Sequence, residues 1–504
     1  MKHINKLLLL LFTSTFFVSC DDAINIEQSG ELTPDKFFTS VNDMRDALYG
    51  CYISIPGETG IEFTSIFTDE TAIGISNGGQ GTSLYSGILN ANDDYAASMW
   101  YGNYRLIDLV NRLIEGAKVV EVKDEKDDEE GDAQRRYDHI LAHAHALRGL
   151  AYLQLMTYFC TDMTDDSSLG VMSILEPKGL YYTAPRVSTG EIFQLINDDF
   201  DYAMANLGGD DAMSDTSTSG ETFMSRASIL ALKARMAAYR GKYTEALTLA
   251  TDAITASGKV ITLPTAYADI WKDTQVGEVI FKIDRRATGV SSANFYQVWS
   301  SGNSTVNGSP FLEVNRALFN LVNSENDVRR FVIADPSSII NDDYANAPLG
   351  VYMNTDVLPV GKYSKSKNIN LLGDIKVIRL SELYFIRAEA KVTDGDLVGA
   401  AQDIFAVRGT RVTGSTMPVY NSPQEAWEDI LMERRAELAF EGHRYIDLKR
   451  LAGKANAGVD RDPQDCSAQG YPCTMSIDYK FTMPIPMREL NANPLIRSQQ
   501  NPNY

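Results

Sequence analysis

The sequence predicts a mainly α fold: about four tetratricopeptide-like helix pairs forming a scaffold, with long irregular loops and a few short strands packed on it. Three observations predict it. Apolar residues recur at helical spacing over long stretches. Two segments, near residues 227–256 and 380–407, read as helix, glycine turn, helix, with small residues where the helices would cross. Between them, residues 53–99 and 258–375 are rich in Gly, Asn, Ser and Tyr, with only short apolar pieces such as Val279-Ile280-Phe281.

Taken in chain order, Trp100, Tyr104, Ile107, Val110, Leu113, Ile114 and Ala117 mark the apolar face of a helix over residues 100–119. The charged run 123–132 reads as a solvated connection, and residues 133–159 as a second helix. Ser188 with Glu191 three residues on forms a capping box that opens a third helix, 188–207. The first clear repeat pairs residues 227–235 with 245–256 across the turn Gly241-Lys242-Tyr243, with Ala246, Ala250 and Ala253 on one face. The second pairs 380–392 with 398–407 across Asp394-Gly395-Asp396. Weaker pairs are 100–119 with 133–159 and 424–440 with 441–452. Trp100 and Trp427 fall on amphipathic helices, and Trp271 is placed against a strand-like piece at Val279-Ile280-Phe281.

Lys2 and Lys6 precede an apolar run over residues 7–18, closed by Val18-Ser19-Cys20. That is a secretory signal peptide, residues 1–19, too short to span a bilayer that needs about 20 apolar residues. A Cys at the cut makes it a lipoprotein signal, with acyl chains on Cys20, and each buried methylene contributes about 0.8 kcal/mol to anchoring. No later segment has a run of apolar residues long enough to span. The formal net charge of −21 excludes partners that need Lys/Arg clusters, nucleic acid above all. It suits a neutral ligand. Of the remaining cysteines, Cys466 and Cys473 lie close in a loop-like stretch with Pro463, Gly470 and Pro472, which favours a disulfide; Cys51 and Cys160 are expected free and buried.

The run Glu433-Arg434-Arg435-Ala436-Glu437-Leu438-Ala439-Phe440-Glu441-Gly442-His443-Arg444-Tyr445-Ile446-Asp447-Leu448 resembles the signature of the SusD/RagB family of outer-membrane nutrient-binding lipoproteins. Further matches are Ile378-Arg379-Leu380-Ser381-Glu382-Leu383-Tyr384, Met483-Pro484-Ile485-Pro486, Asn501-Pro502-Asn503-Tyr504, Leu32-Thr33-Pro34 and Asp46-Ala47-Leu48-Tyr49-Gly50. Asp21 and Asp22 resemble the surface-export tag of Bacteroidetes lipoproteins. The resemblance implies a SusD-like fold and one domain over residues 20–504. Its parts are an N-terminal section 20–220, a tetratricopeptide pair 221–257, a loop-rich ligand-binding section 258–375 and a signature section 376–504. It implies anchorage in the outer membrane facing the exterior, and a SusC-like TonB-dependent transporter as partner. It also implies binding of glycan on loops without catalysis. The signature charges read as ion pairs of the scaffold: Glu433 and Glu437 at i, i+4 on one helix, Arg444 and Asp447 at i, i+3 on the next.

A sugar offers an apolar face and a ring of hydroxyls, so its site should combine aromatic rings with amides on a loop. Asn294-Phe295-Tyr296-Gln297-Val298-Trp299 is the best such stretch, and Ser76-Asn77-Gly78-Gly79-Gln80-Gly81-Thr82-Ser83-Leu84-Tyr85 the second. The expected contacts are Trp299, Tyr296, Tyr85, Asn294 and Asn77. No cofactor is expected. His139 and His143 share a helix face, but without the Glu of the metalloprotease motif. Asp162, Asp165 and Asp166, and Asn341-Asp342-Asp343, lack the calcium-loop spacing and read as turns, although calcium in a lectin-like loop stays an open alternative. A peptide ligand is the second reading and a surface glycoside hydrolase the third, the latter needing two carboxyls about 5–10 Å apart across a cleft.

Overall fold

The computed structural model describes residues 37–124, 129, 131–179, 181–207, 220–285, 310–366, 369–370 and 373–504. Helix α1 (Val41–Ile53) opens with a capping box between Ser40 and Asp43. Helix α2 (Glu58–Phe67) and strand β1 (Thr71–Ile73) follow, inside a stretch that reads as irregular from sequence. Its apolar side chains Ile61, Phe63, Ile66 and Phe67 are all buried, too few and too close to betray a period. After the single turn α3 (Thr82–Tyr85), helix α4 (Asp94–Ala117) starts ahead of the predicted Trp100 because Asp93 caps it, accepting from Tyr95 N at 2.8 Å. It packs against α5 (Asp132–Phe159), which in turn packs against α6 (Thr189–Asn206), begun by the Ser188/Glu191 capping box. The α5–α6 crossing is close: a Cβ on Gly149 would stand 2.6 Å from the Phe200 ring.

The two clear repeats form as paired helices. Helix α7 (Arg226–Tyr239) turns at Gly241, φ 68°, into α8 (Tyr243–Ser257), whose Ala246, Ala250 and Ala253 are fully buried. Between the repeats lie α9 (Pro264–Trp271), β2 (Val279–Ile283), β3 (Leu312–Val314), α10 (Arg316–Val322), α11 (Arg330–Ile333), α12 (Leu349–Thr355), β4 (Lys365–Ser366), β5 (Ile369–Asn370) and β6 (Ile375–Arg379). Trp271 closes α9, and its ring meets Tyr363 edge-on at 5.4 Å. Strand β6 runs directly into α13 (Leu380–Thr393), paired with α14 (Leu397–Arg411) across Gly395. Helices α8 and α13 pack together, so the two repeats stack. A fourth pair is α15 (Pro423–Glu437) with α16 (Arg444–Ala455), followed by β7 (Val459–Asp460), β8 (Thr474–Met475) and α17 (Met487–Ala492). Among the described residues no helix is long and apolar enough to cross a membrane.

Helix α15 ends at Glu437 rather than 440. Buried cations take the carbonyls at this end: Lys362 Nζ donates to Glu437 O at 3.0 Å and Ala439 O at 2.8 Å. Arg379 Nη2 reaches Glu437 O at 3.0 Å. Phe440 then adopts φ 61°, and its N–H turns to the Glu70 carboxylate at 3.1 Å.

The described strands form two-stranded antiparallel sheets: β1 with β3, β2 with β6, β4 with β5 and β7 with β8. In the first, Thr71 faces Val314 and Ile73 faces Leu312. The chain therefore leaves β1 at the end where it arrives at β3.

Candidate ligand-binding site

The signature charges of α15 and α16 are buried in the scaffold. Glu437, fully buried, accepts from Arg379 Nη1 at 2.8 Å and from Arg411 Nη2 at 3.0 Å. Glu278 closes the set, with Oε1 2.7 Å from Arg379 and Oε2 2.7 Å from Arg411. Glu433 takes Arg329 at 2.6 Å and Arg408 at 2.7 Å. Arg434 reaches Asp447 at 2.7 Å, and Arg444 binds Asp69 bidentately at 2.8 Å on each oxygen. So the pairs run between elements rather than along a helix as their spacing suggests; Arg450 with Asp447 at 3.0 Å is an i, i+3 exception. Burial pushes the Asp69 carboxyl up, but Arg435 and Arg444 outweigh it and hold it well below the usual carboxylate range. The same contest, with Arg434 and Arg450 winning, lowers Asp447 to about 2. These carboxylates are locked against cations and backbone.

The open rim lies at the end of the β1–β3 pair. The loop from Gly74 onward leaves there, and Pro310 and Phe311 lead into β3 there, Gly74 N donating to Phe311 O at 3.0 Å. Asn77 locks this loop. Its Nδ2 donates to Gln80 O and Phe311 O, both at 2.8 Å, and its Oδ1 accepts from Gly79 N at 2.7 Å. With its amide group so engaged, Asn77 shapes the rim and is a poor candidate for direct sugar contact. Tyr85 is corrected outright: its ring is fully buried. Its hydroxyl donates to Asp465 O at 3.1 Å, and the Arg461 guanidinium lies 3.8 Å over its face. Leu84 beside it on the turn α3 is buried as well. Asn294, Tyr296 and Trp299 lie outside the described residues, as does Cys20.

Sequence reasoning missed Tyr471. It stands partly buried in the loop closed by Cys466 and Cys473, which are bonded, and meets the buried Tyr85 ring edge-on at 5.3 Å. An aromatic residue inside a short disulfide loop was the available signal. Arg461 fastens the two loops, donating to Tyr85 O at 2.6 Å, Pro472 O at 3.1 Å and Thr68 O at 2.8 Å. Beneath the rim, burial raises Glu313 on β3 to about 8 and Asp465 to about 7. Glu313 accepts from Leu358 N at 2.8 Å, and Asp465 from Arg316 N and the Tyr352 hydroxyl. Both are supports for the loops above.

The expected free cysteines are Cys51 and Cys160, both buried. Among the described residues no group of three or more His, Cys, Asp or Glu is arranged to hold a metal. His143 Nδ1 lies 2.7 Å from Tyr52 Oη, and His145 Nδ1 2.6 Å from Asp199. Asp162 and Asp165 accept from the backbone of Thr164 and Ser167 at 2.8 and 2.9 Å, and Asn341 accepts from Asp343 N at 3.0 Å, as ordinary turns do.

Residues 272–504 match the model of the SusD family. A SusD-like protein of Formosa agariphila is 23% identical over 491 residues, covering 89% of this chain and 91% of the relative. A SusD superfamily protein of Bacteroides thetaiotaomicron shares the fold at a TM-score of 0.75 and 21% identity, covering 92% of this chain and all of that one. A SusD-like carbohydrate binding protein of Bacteroides vulgatus superposes with a TM-score of 0.67 at 18% identity, over 91% of this chain and 98% of the other.

Proposed function

The chain is a SusD/RagB family protein, and from that premise we propose that it is a surface lipoprotein that binds glycan and delivers it to a SusC-like TonB-dependent transporter of the outer membrane. The observation that carries the binding reading is the meeting of chain ends at β1 and β3. The amide-rich loop after Gly74 leaves that sheet end and brings the buried Tyr85 ring against Tyr471 of the Cys466–Cys473 loop, which supports amides and a ring on one surface. Loops held by a stiff helical scaffold are where binding residues concentrate. Anchorage through Cys20 would keep the rim at the cell exterior, beside the transporter's mouth.

Binding without catalysis is the reading the geometry favours, since the signature carboxylates are paired and buried. Native gel retardation against a panel of polysaccharides, with reducing-sugar release measured on every polymer retarded, tests both parts. Retardation without release is expected. Release of reducing ends would replace the proposal with a hydrolase, and retention of peptides but of no glycan would replace it with a peptide binder. Palmitate labelling lost in Cys20→Ala checks the anchor.

A further inference from the structure

The rim has a charge pattern that bears on which glycan it takes. Residues 71–92 contain no Asp, Glu, Lys or Arg, and neither do residues 466–477. In a chain with 22% charged residues, two such stretches are a bias, and the fold places them side by side. Tyr85 meets Tyr471, and a Cβ on Gly87 would stand 3.2 Å from Met475 Cε. The exposed residues of the two stretches include Ser76, Gln80, Ser83, Asn90, Ser467 and Thr474, with Ile88 exposed and the Tyr471 ring partly buried. These are hydroxyls and amides about a ring.

The borders of the two stretches are acidic. Asp93 and Asp94 follow the first and Asp478 the second, and Asp462 stands nearby with its carboxylate on the Tyr344 hydroxyl at 2.8 Å. Two cations adjoin: Lys480, whose Nζ lies 3.3 Å from the Asp478 carboxylate, and Arg461, which is buried and gives its N–H groups to the carbonyls of Thr68, Phe67, Tyr85 and Pro472. The arginine's charge is thus spent on the protein's own backbone. A sulfated or uronic acid polymer arriving here would meet acids at the edge and, among the described residues of the two stretches and their borders, no cation that is not already paired or buried, within a chain of net charge −21. An uncharged polyhydroxylated chain would meet hydroxyls, amides and a ring braced from below.

We infer that residues 76–92 and 466–477 form a subsite for an uncharged polysaccharide, with Tyr471 as its ring platform, selecting against polyanionic glycans. The inference rests on the glycan-binding reading above and narrows its ligand class. A binding panel separates the two. Neutral polymers (amylopectin, xylan, mannan and mixed-linkage β-glucan) are set against polygalacturonate and chondroitin sulfate, by retardation gel and calorimetry at low salt. The expected result is binding confined to neutral members, weakened at least about tenfold in Tyr471→Ala. Two substitutions at exposed positions, Gln80→Lys and Ser467→Lys, should then admit a polyanion. Binding of polyanions by the unaltered protein overturns the subsite while leaving glycan binding intact. Binding of no polymer of either kind overturns both. If Tyr471→Ala lowers the melting temperature, Thr474→Trp serves instead: its bulk on the exposed face of the 466–477 loop should weaken neutral-glycan binding at least about tenfold, and unchanged affinity there overturns the subsite. Unchanged affinity in a folded Tyr471→Ala removes the platform.

Discussion

Replacing Glu437 by Gln should destabilise the folded protein by about 3–5 kcal/mol, the range for breaking a buried ion pair from one side. The magnitude follows from what is left behind. Arg379 and Arg411 are 1% and 0% exposed, and both contact the Glu437 carboxylate, at 2.8 and 3.0 Å. The amide keeps the shape but removes the charge. Arg379 retains Glu278 and Glu441, whereas Arg411 retains Glu278 alone. Unfolding entropy of about 2.1 cal/mol/K per residue gives a chain of this length roughly 1 kcal/mol/K, so the melting temperature should fall by only about 3–5 °C. Urea unfolding with linear extrapolation is therefore the more sensitive assay. Burial raises the Glu437 carboxyl, but Arg411 and Arg379 override it and hold it well below its ordinary range. Its contribution is thus present above the unfolded carboxylate pKa and is lost as pH falls, so the gap between the two proteins should shrink below about pH 4. A loss under about 0.5 kcal/mol at pH 7 would refute the reasoning, because it would mean that the attraction in the network only cancels its desolvation.

Three other outcomes are expected. Burial lifts Glu313 to about 8, so its proton stabilises the fold below the unfolded pKa and that stability fades as pH rises toward 8; Glu313→Gln should flatten the decline in urea midpoint between pH 5 and 8, and an unchanged slope would count against it. Cys466→Ser opens a loop closed across a sequence separation of 7 and should lower stability by about 2–3 kcal/mol on the chain-entropy model, read by the same titration. Trp299→Ala should weaken glycan binding by about 2–3 kcal/mol with little change in melting temperature, whereas Tyr85→Ala should cost about 3–5 kcal/mol of stability, since it empties a buried site; calorimetry beside thermal unfolding distinguishes the two.

The helix pairs were legible because each carries its own local marks. Ser188 with Glu191, the Gly241 and Gly395 turns and the alanine face of α8 are all signals within a few residues of one another. What stayed hidden depends on partners distant in the chain. Glu433 and Glu437 look like neighbours on one helix, yet their cations come from α14, β6 and the approach to α11. The end of α15 is set by Lys362, which no local reading would find. Tyr85 reads as an exposed loop ring because nothing near it announces Arg461 or Asp465. The pairing of β1 with β3, which fixes where the loop after Gly74 leaves the scaffold, spans some 240 positions and is likewise invisible locally.

Asp69 sits beside the first strand, and the two arginines that neutralise it, Arg435 and Arg444, arrive only near the far end of the polypeptide. Until they do, the early segment holds a carboxylate that cannot be buried without penalty. Arg186 likewise waits for Gln499 and Asn501. The two ends of the polypeptide are thereby bound into one cooperative unit: a cut that released the last seventy residues would strip the early segment of the cations that make its burial tolerable.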